Sequence, residues 1–182
     1  DQNKLKELIL YIARKSEGDH KFGKTKLNKL LFFADFSAYV RLGAPISGST
    51  YIKKEFGPVP KDMDRTLTAM QFSKDLALAE RNYCYTQITP LALREPDLSC
   101  FSSEELDLIH DIIEKFWDDN ATEISERSHQ FSGWLFADQG EDIPYAVALV
   151  AAKEPTTSEK EYGCSLLTLA KESRERGIQA QN

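Results

Sequence analysis

Residues 30–40 read Leu-Leu-Phe-Phe-Ala-Asp-Phe-Ser-Ala-Tyr-Val, a stretch that leaves almost no polar face at helical spacing. The flanking residues predict a single helix, because Thr25 can cap its beginning and Gly43, followed by Pro45, can end it after residue 42. A helix that is apolar on all sides must be surrounded by the rest of the protein. We therefore place this helix at the centre of the fold.

Shorter elements are predicted around this helix. Apolar residues at helical spacing predict a helix from Asn3 to about Ser16 and another through Met63, Leu67 and Met70. Two capping boxes predict a helix that begins at Ser102, with Glu105, and one that runs from Asn120, with Glu123, to about Gln130. Pro144 is well placed in the first turn of one more helix, which is expected to reach about Lys153.

The β content is expected to be small and local. The patterns predict a strand over Thr50–Phe56, a stiff turn without regular pairing at Gly57-Pro58-Val59-Pro60, and a hairpin of Leu76–Glu80 and Tyr83–Ile88, joined through Arg81-Asn82 and closed by Pro90. The expected fold class is therefore mainly α (α+β). It is a compact helical domain around a buried central helix, with a small β-hairpin or short antiparallel sheet.

The chain length predicts one domain with a short tail. A chain of 182 residues can bury a core without disulfides or metal. We expect this domain at residues 1–153, and a linker with an appended helix near Ser165–Arg176 at residues 154–182. Three widely spaced cysteines fit a reducing cytoplasm, and no apolar stretch approaches the ~20 residues that cross a membrane.

The charge of the chain is divided unevenly. Its formal net charge is −6, with a net +5 over residues 1–65 and −11 over the rest. Residues 97–142 hold 13 acidic residues against Lys115 and Arg127. Such a segment suits a basic protein partner and argues against nucleic acid as a partner, although a merely solvating role stays open.

Residues 18–25 match the phosphate-binding pattern G-x-x-x-x-G-K-[ST] letter for letter. That loop binds phosphate only when a buried strand runs into its first glycine and a helix leaves after its last residue. Here the charged end of an amphipathic helix precedes Gly18. We therefore interpret the match as a glycine helix stop followed by a basic turn, and we predict no nucleotide site.

Other chemistry is also not indicated. His20, His110 and His129 lack metal-ligand spacing, and Ser128 and His129 are adjacent, so on a helix their side chains point about 100° apart. We predict no catalytic, cofactor-binding or metal-binding residue, and no enzyme. Asp35 is the one carboxylate in the central helix and is expected to have hydrogen-bond or ionic partners, because unpaired burial is costly.

Three ordered strings resemble a known family. They are Lys26 to Phe36, then Tyr51 with Phe56-Gly57-Pro58-Val59-Pro60, then Glu123 to His129 with Trp134, Gly140 and Ile143-Pro144-Tyr145. In this order and spacing they resemble the SocA-like antitoxin domain, also called the Panacea domain, which is related to phage-associated GepA proteins. The resemblance covers roughly Leu5 to Val150.

The resemblance implies a mainly helical, cytoplasmic protein of a bacterium or phage. It implies the toxin-neutralising module of a toxin–antitoxin pair, whose partner is a cognate protein toxin. Members of this family neutralise unrelated toxins, some by direct binding and at least one by delivering its toxin to a protease. The motif residues Asp35, His129, Trp134 and Pro144 are interpreted as structural.

Direct binding is the leading hypothesis for the mechanism. Its predicted surface lies beside the turn at residues 51–59 and is flanked by the acidic segment, and its residues are Tyr51, Phe56, Pro58, Val59, Asp118, Asp119 and Glu123. Three alternatives stay open: a DNA-binding transcriptional regulator with the hairpin as a wing, a proteolytic adaptor, and an enzyme that uses Lys24 or His129.

Overall fold

The computed structural model describes residues 1–82 and 86–149, and these residues are mainly helical. The helices are α1 (Gln2–Lys15), α2 (Lys24–Leu42), α3 (Met63–Phe72), α4 (Ser103–Lys115), α5 (Ala121–His129) and α6 (Ser132–Phe136). The strands are β1 (Tyr51–Ile52), β2 (Val59–Pro60), β3 (Leu76–Asn82), β4 (Thr86–Ala92) and β5 (Asp142–Ile143). Short 3-10 helices lie at Leu98–Cys100 and Tyr145–Leu149. The predicted mainly α (α+β) class is confirmed.

The central position of α2 is confirmed as well. It packs against α1, α4, α5, β2 and β4, and most of its residues are buried. Gly43 ends it in the left-handed conformation with φ +83°, which glycine adopts without steric cost. The predicted cap at Thr25 is wrong, because the extended residue Gly23 precedes the first turn and Thr25 already lies inside the helix.

The flanking helices form where local signals predict them. Both capping boxes are present, Ser102 with Glu105 at α4 and Asn120 with Glu123 at α5. In each box the side chains satisfy backbone N–H groups that the first helical turn leaves free. Helices α1 and α4 bury their apolar faces in the core around α2.

A three-stranded antiparallel sheet, ordered β2-β1-β5, lies beside α2. The strand predicted over Thr50–Phe56 ends at Ile52, and the proline turn predicted to lack pairing contains β2. Pro60 pairs with Tyr51 and Val59 with Ile52. Proline is tolerated here because β2 is an edge strand, where a missing N–H costs no hydrogen bond to a further strand.

The predicted hairpin exists with a different register. Strands β3 and β4 pair from Leu76 with Ala92 to Asn82 with Thr86, so Arg81 and Asn82 belong to a strand and Pro90 lies inside its partner. A two-residue turn favours glycine or asparagine at positions with positive φ, and Arg81-Asn82 lacks the glycine. The connection at residues 83–85, with Cys84, lies outside the described residues.

The last described segment contains two elements that the sequence did not predict, α6 and β5. Pro144 comes directly before the 3-10 helix, and the rest of the helix predicted to reach Lys153 lies outside the described residues. So do the predicted linker, the helix near Ser165–Arg176 and Cys164, and the boundary at residue 153 stays a prediction. Within residues 1–82 and 86–149, every helix is too short or too polar to cross a membrane.

Candidate functional site

Residues 53–58, here called the Phe56 turn, join β1 to β2 and present an aromatic side chain that is 64% exposed. The backbone beneath Phe56 is fixed at several points. The amide of Gly57 donates to the carbonyl of Lys54 at 3.0 Å, and the amide of Lys53 donates to the carbonyl of Glu141 at 3.0 Å. The indole Nε1 of Trp134 donates to the Lys54 carbonyl at 3.0 Å. The exposed ring is therefore held on a rigid loop.

A buried lysine supports this turn from the core. Lys29 of α2 is 1% exposed and its Nζ donates to the carbonyl of Pro58 at 2.8 Å. Gly57 has φ +98°, and a Cβ at this position would lie 2.2 Å from Ser128 Oγ and 2.7 Å from Lys29 Cε. Only glycine fits between these two buried side chains.

The environment of Lys29 changes its titration. Lys29 forms no ion pair with any acidic residue in the described part of the chain. Burial without a compensating charge lowers the pKa of Lys29 to about 7. The neutral amine still donates a hydrogen bond to Pro58, so the support of the Phe56 turn does not need a charge.

This pKa predicts a pH dependence of stability that Lys29→Met removes. Between pH 7 and about pH 10.4, the unfolded chain binds the Lys29 proton and the folded chain releases it, so the free energy of unfolding rises with pH. Between pH 7 and pH 9 we expect the free energy of unfolding to rise by about 2 kcal/mol more in the wild type than in Lys29→Met, measured by urea unfolding. Lys54→Met, which removes an exposed lysine of the same turn, is the control and keeps the wild-type gain. Equal gains in wild type and Lys29→Met would contradict the burial of a titrating amine.

His129 and Trp134 form a stack beside the turn. Their rings lie 3.9 Å apart at an interplanar angle of 13°, and Lys53 Nζ lies 4.3 Å from the Trp134 ring centroid. Burial, followed by the charge of Lys29, lowers the pKa of His129, so the ring is neutral at physiological pH. These contacts position the Phe56 turn and favour the structural role predicted for both residues.

Asp35 lies at the centre of a second polar cluster. Its carboxylate accepts from the amide of Ser47 at 2.6 Å, from the Ser47 hydroxyl and from the Tyr51 hydroxyl at 2.8 Å. Burial raises the pKa of Asp35. The hydrogen-bond partners expected for Asp35 are thus hydroxyl groups and a backbone amide. Tyr51 is 0% exposed, so its predicted contact with a partner is wrong, and Tyr51 is a core residue.

Three more of the predicted partner-binding residues have structural contacts. Pro58 is buried and accepts from Lys29, and Asp119 is buried and accepts from Arg127 Nε at 2.5 Å. The exposed residue Glu123 uses its carboxylate to accept from the amide of Asn120 at 2.7 Å. Pro58 and Asp119 are thus removed from the predicted surface, because a partner does not reach their side chains.

The remaining predicted residues lie at the surface to different degrees. Val59 is half-buried, whereas Phe56 and Asp118 are exposed. The side chain of Asp118 continues a row of exposed acidic residues on α4, here called the α4 acidic stripe, which consists of Glu104, Asp107, Asp111, Glu114 and Asp118. The spacing of the first four alternates between three and four residues, which places them along one face of α4, and Asp118 follows three residues after the end of this helix.

Two apolar side chains near the turn escaped the sequence analysis. Leu135 and Phe136 of α6 are 54% and 71% exposed, and α6 is tied to the Phe56 turn through Trp134. The signal was the apolar triplet at residues 134–136, because a five-residue helix cannot bury side chains on every face. Phe56, Leu135 and Phe136 are thus exposed on two segments that contact each other.

Residues 18–25, which match the phosphate-binding pattern, do not have the structure of a phosphate-binding loop. Helix α1, and no strand, precedes Gly18, and Lys24 Nζ pairs with Asp64 at 2.7 Å. Lys26 is buried, and its Nζ donates to Asp19 Oδ2 at 2.5 Å and to the carbonyls of Trp117 and Asp119 at 2.8 Å each. Among the described residues, no group of three or more His, Cys, Asp or Glu side chains could hold a metal ion.

The fold and the Phe56 turn define a small α+β protein that is built on one buried helix and exposes an aromatic side chain on a fixed loop. A family model described as antitoxin SocA-like, Panacea domain, matches residues 27–135, from the first turn of α2 to α6. The match covers more than half of the chain, so the chain belongs to the SocA-like antitoxin family, Panacea domain. No curated protein and no solved structure matches the chain.

Proposed function

We propose that this protein neutralises a cognate protein toxin in the cytoplasm by direct binding, with the Phe56 turn as the centre of its docking surface. Membership of an antitoxin family supports the toxin as partner. The observation that carries the surface is the exposed Phe56 ring on a turn whose backbone is hydrogen-bonded to Glu141, Trp134 and Lys29. Aromatic side chains dominate binding energy at many interfaces, and a rigid loop loses little conformational entropy on binding.

The charges of the chain support a basic protein as the partner. The α4 acidic stripe and the acidic segment around it would raise the association rate with a basic toxin surface. Several lysines of the basic first third are already engaged: Lys4 pairs with Glu105, Lys24 with Asp64 and Lys61 with Asp142. This pairing weakens the case for a nucleic-acid surface in that part of the chain.

The test begins with the genes next to the one that encodes this protein. We expect one neighbour to stop growth when expressed alone and to be harmless when coexpressed with this chain. Phe56→Ser is expected to abolish this rescue and to weaken binding of the purified toxin at least thirtyfold in calorimetry, as for an aromatic hot spot. The matched control is Phe72→Ser on α3, which removes a phenylalanine that is 93% exposed and keeps full rescue.

Three results would overturn the proposal or its surface. Failure of the wild-type chain to restore growth would refute neutralisation. Wild-type affinity in Phe56→Ser would refute the docking surface. A toxin that disappears from immunoblots during rescue, instead of persisting in a bound form, would identify a proteolytic adaptor and refute neutralisation by binding alone.

A further inference from the structure

A groove of about 250 Å³ lies between α6, β5 and the following 3-10 helix. Its apolar walls are formed by Gly133, Phe136, Ala137, Pro144 and Val147. The Phe136 ring is 71% exposed, although it lines the groove. The walls are tightly packed behind this surface, because a Cβ at Gly133 would lie 2.6 Å from Val147 Cγ2 and 2.8 Å from Ile143 Cγ2. The groove is therefore preformed in the fold.

The charged residues that line the groove are both acidic. They are Glu141 and Asp142, and Asp138 comes shortly before them. Asp142 also pairs with Lys61 at 2.9 Å, an exposed pair that contributes little net energy. Lys53 of the Phe56 turn is a second cation beside the groove, because its Nζ donates to the carbonyl of Ala137 at 2.9 Å, and the three acidic residues outnumber these two lysines. An apolar groove with an acidic rim favours an apolar side chain whose neighbours carry positive charge.

We propose that this groove takes a basic amphipathic helix of a protein partner, with an apolar side chain against Phe136 and lysine or arginine residues facing Glu141 and Asp142. The groove is smaller than the roughly 300 Å³ at which small-molecule sites begin, and it is open along one side. Helices dock in such grooves by apolar residues at positions i, i+3 or i+4 and i+7. Strand β5 contributes only two residues, too few to add a partner strand.

When the partner is the toxin, this inference rests on the proposed function. It then specifies that the toxin segment is a basic amphipathic helix. Its test uses a defined probe, so that the two proposals can fail separately. The probe is an 18-residue peptide with leucine at positions i, i+3, i+4 and i+7, and with lysine and alanine elsewhere. The control peptide carries glutamate in place of every lysine.

The experiment is an NMR titration of the full-length, ¹⁵N-labelled chain. We expect the lysine peptide to shift amide signals of α6 and residues 138–149, and the glutamate peptide to leave them unchanged. Phe136→Ser is expected to raise the Kd of the lysine peptide at least tenfold. The matched control Leu93→Ser, which removes a leucine that is exposed elsewhere, keeps the wild-type Kd.

Each outcome decides the inference. Shifts centred on another surface, equal binding of the glutamate peptide, or an unchanged Kd in Phe136→Ser would refute it. Binding in the groove, together with failure of the chain to rescue growth, would support the groove and refute neutralisation. Rescue of growth without peptide binding in the groove would refute the groove and leave neutralisation intact.

Discussion

Gly57→Ala is expected to lower the free energy of unfolding by about 3–5 kcal/mol, the sum of backbone strain and overpacking. Gly57 has φ +98°, outside the conformations that alanine favours. The new methyl group would lie 2.2 Å from Ser128 Oγ and 2.7 Å from Lys29 Cε. Both side chains are almost fully buried and cannot move into solvent, so the turn or the core must shift. Urea unfolding measures the loss.

Gly43→Ala is the matched control for this variant. Gly43 has φ +83°, but a Cβ there meets no atom within 4 Å. Its substitution therefore isolates the backbone cost, which we expect to be about 1 kcal/mol. An equal loss of stability in the two variants would show that the contacts of Gly57 with Lys29 and Ser128 are loose.

Asp35→Ala is expected to cost about 3 kcal/mol or more, because it leaves buried donors without an acceptor. The amide and hydroxyl of Ser47 and the hydroxyl of Tyr51 all donate to this carboxylate. Asp35→Asn keeps the shape and one acceptor oxygen, so we expect a smaller loss. Tyr51→Phe removes one donor only and is expected to cost about 1 kcal/mol. A loss in Asp35→Ala no larger than in Tyr51→Phe would contradict a central role for the carboxylate.

The pH dependence gives a second check on Asp35. Burial raises the pKa of this carboxyl, so the folded chain holds its proton at a pH where the unfolded chain has released it. The contribution of Asp35 to the free energy of unfolding therefore falls as the pH rises through this raised pKa. Thermal unfolding at a series of pH values upward from about 4, the ordinary pKa of an aspartate, should show that the deficit of Asp35→Asn relative to wild type becomes smaller as the pH rises.

Local signals were sufficient for the central helix and its neighbours. An apolar stretch between glycines predicts α2, and the side chains of each capping box act within one helical turn of α4 and α5. Such patterns need no knowledge of the rest of the chain. The sequence therefore predicted the helical core that carries the candidate site.

Elements that depend on distant contacts were missed. Helix α6 has only five residues, and Trp134 ties it to Lys54, which is 80 positions away. Strand β5 has two residues and exists because Ile143 pairs with Tyr51. Short elements of this kind have too little local preference to be recognised from sequence.

The sequence also did not predict which polar side chains are buried. Asp118 and Asp119 are adjacent acids, yet Asp119 turns inward to Arg127 and its carbonyl meets Lys26, whereas the carboxylate of Asp118 stays exposed. Tyr51 looked like a surface residue beside a turn, but its ring packs against Phe32 and Phe36 of α2. Its hydroxyl donates to Asp35 of the same helix. The sequence correctly predicted a surface position for the Phe56 side chain, because the stiff turn keeps this side chain out of the core.

The contacts of Lys26 have a consequence for local opening of the native state. Its single ammonium group binds Asp19, in the connection between α1 and α2, and the carbonyls of Trp117 and Asp119, in the connection between α4 and α5. If either connection separated from α2, the Lys26 ammonium would become exposed and would lose hydrogen-bond partners on that side, although the other connection still depends on it. We therefore expect the two loops to open together in hydrogen exchange, although almost 100 residues of chain lie between them.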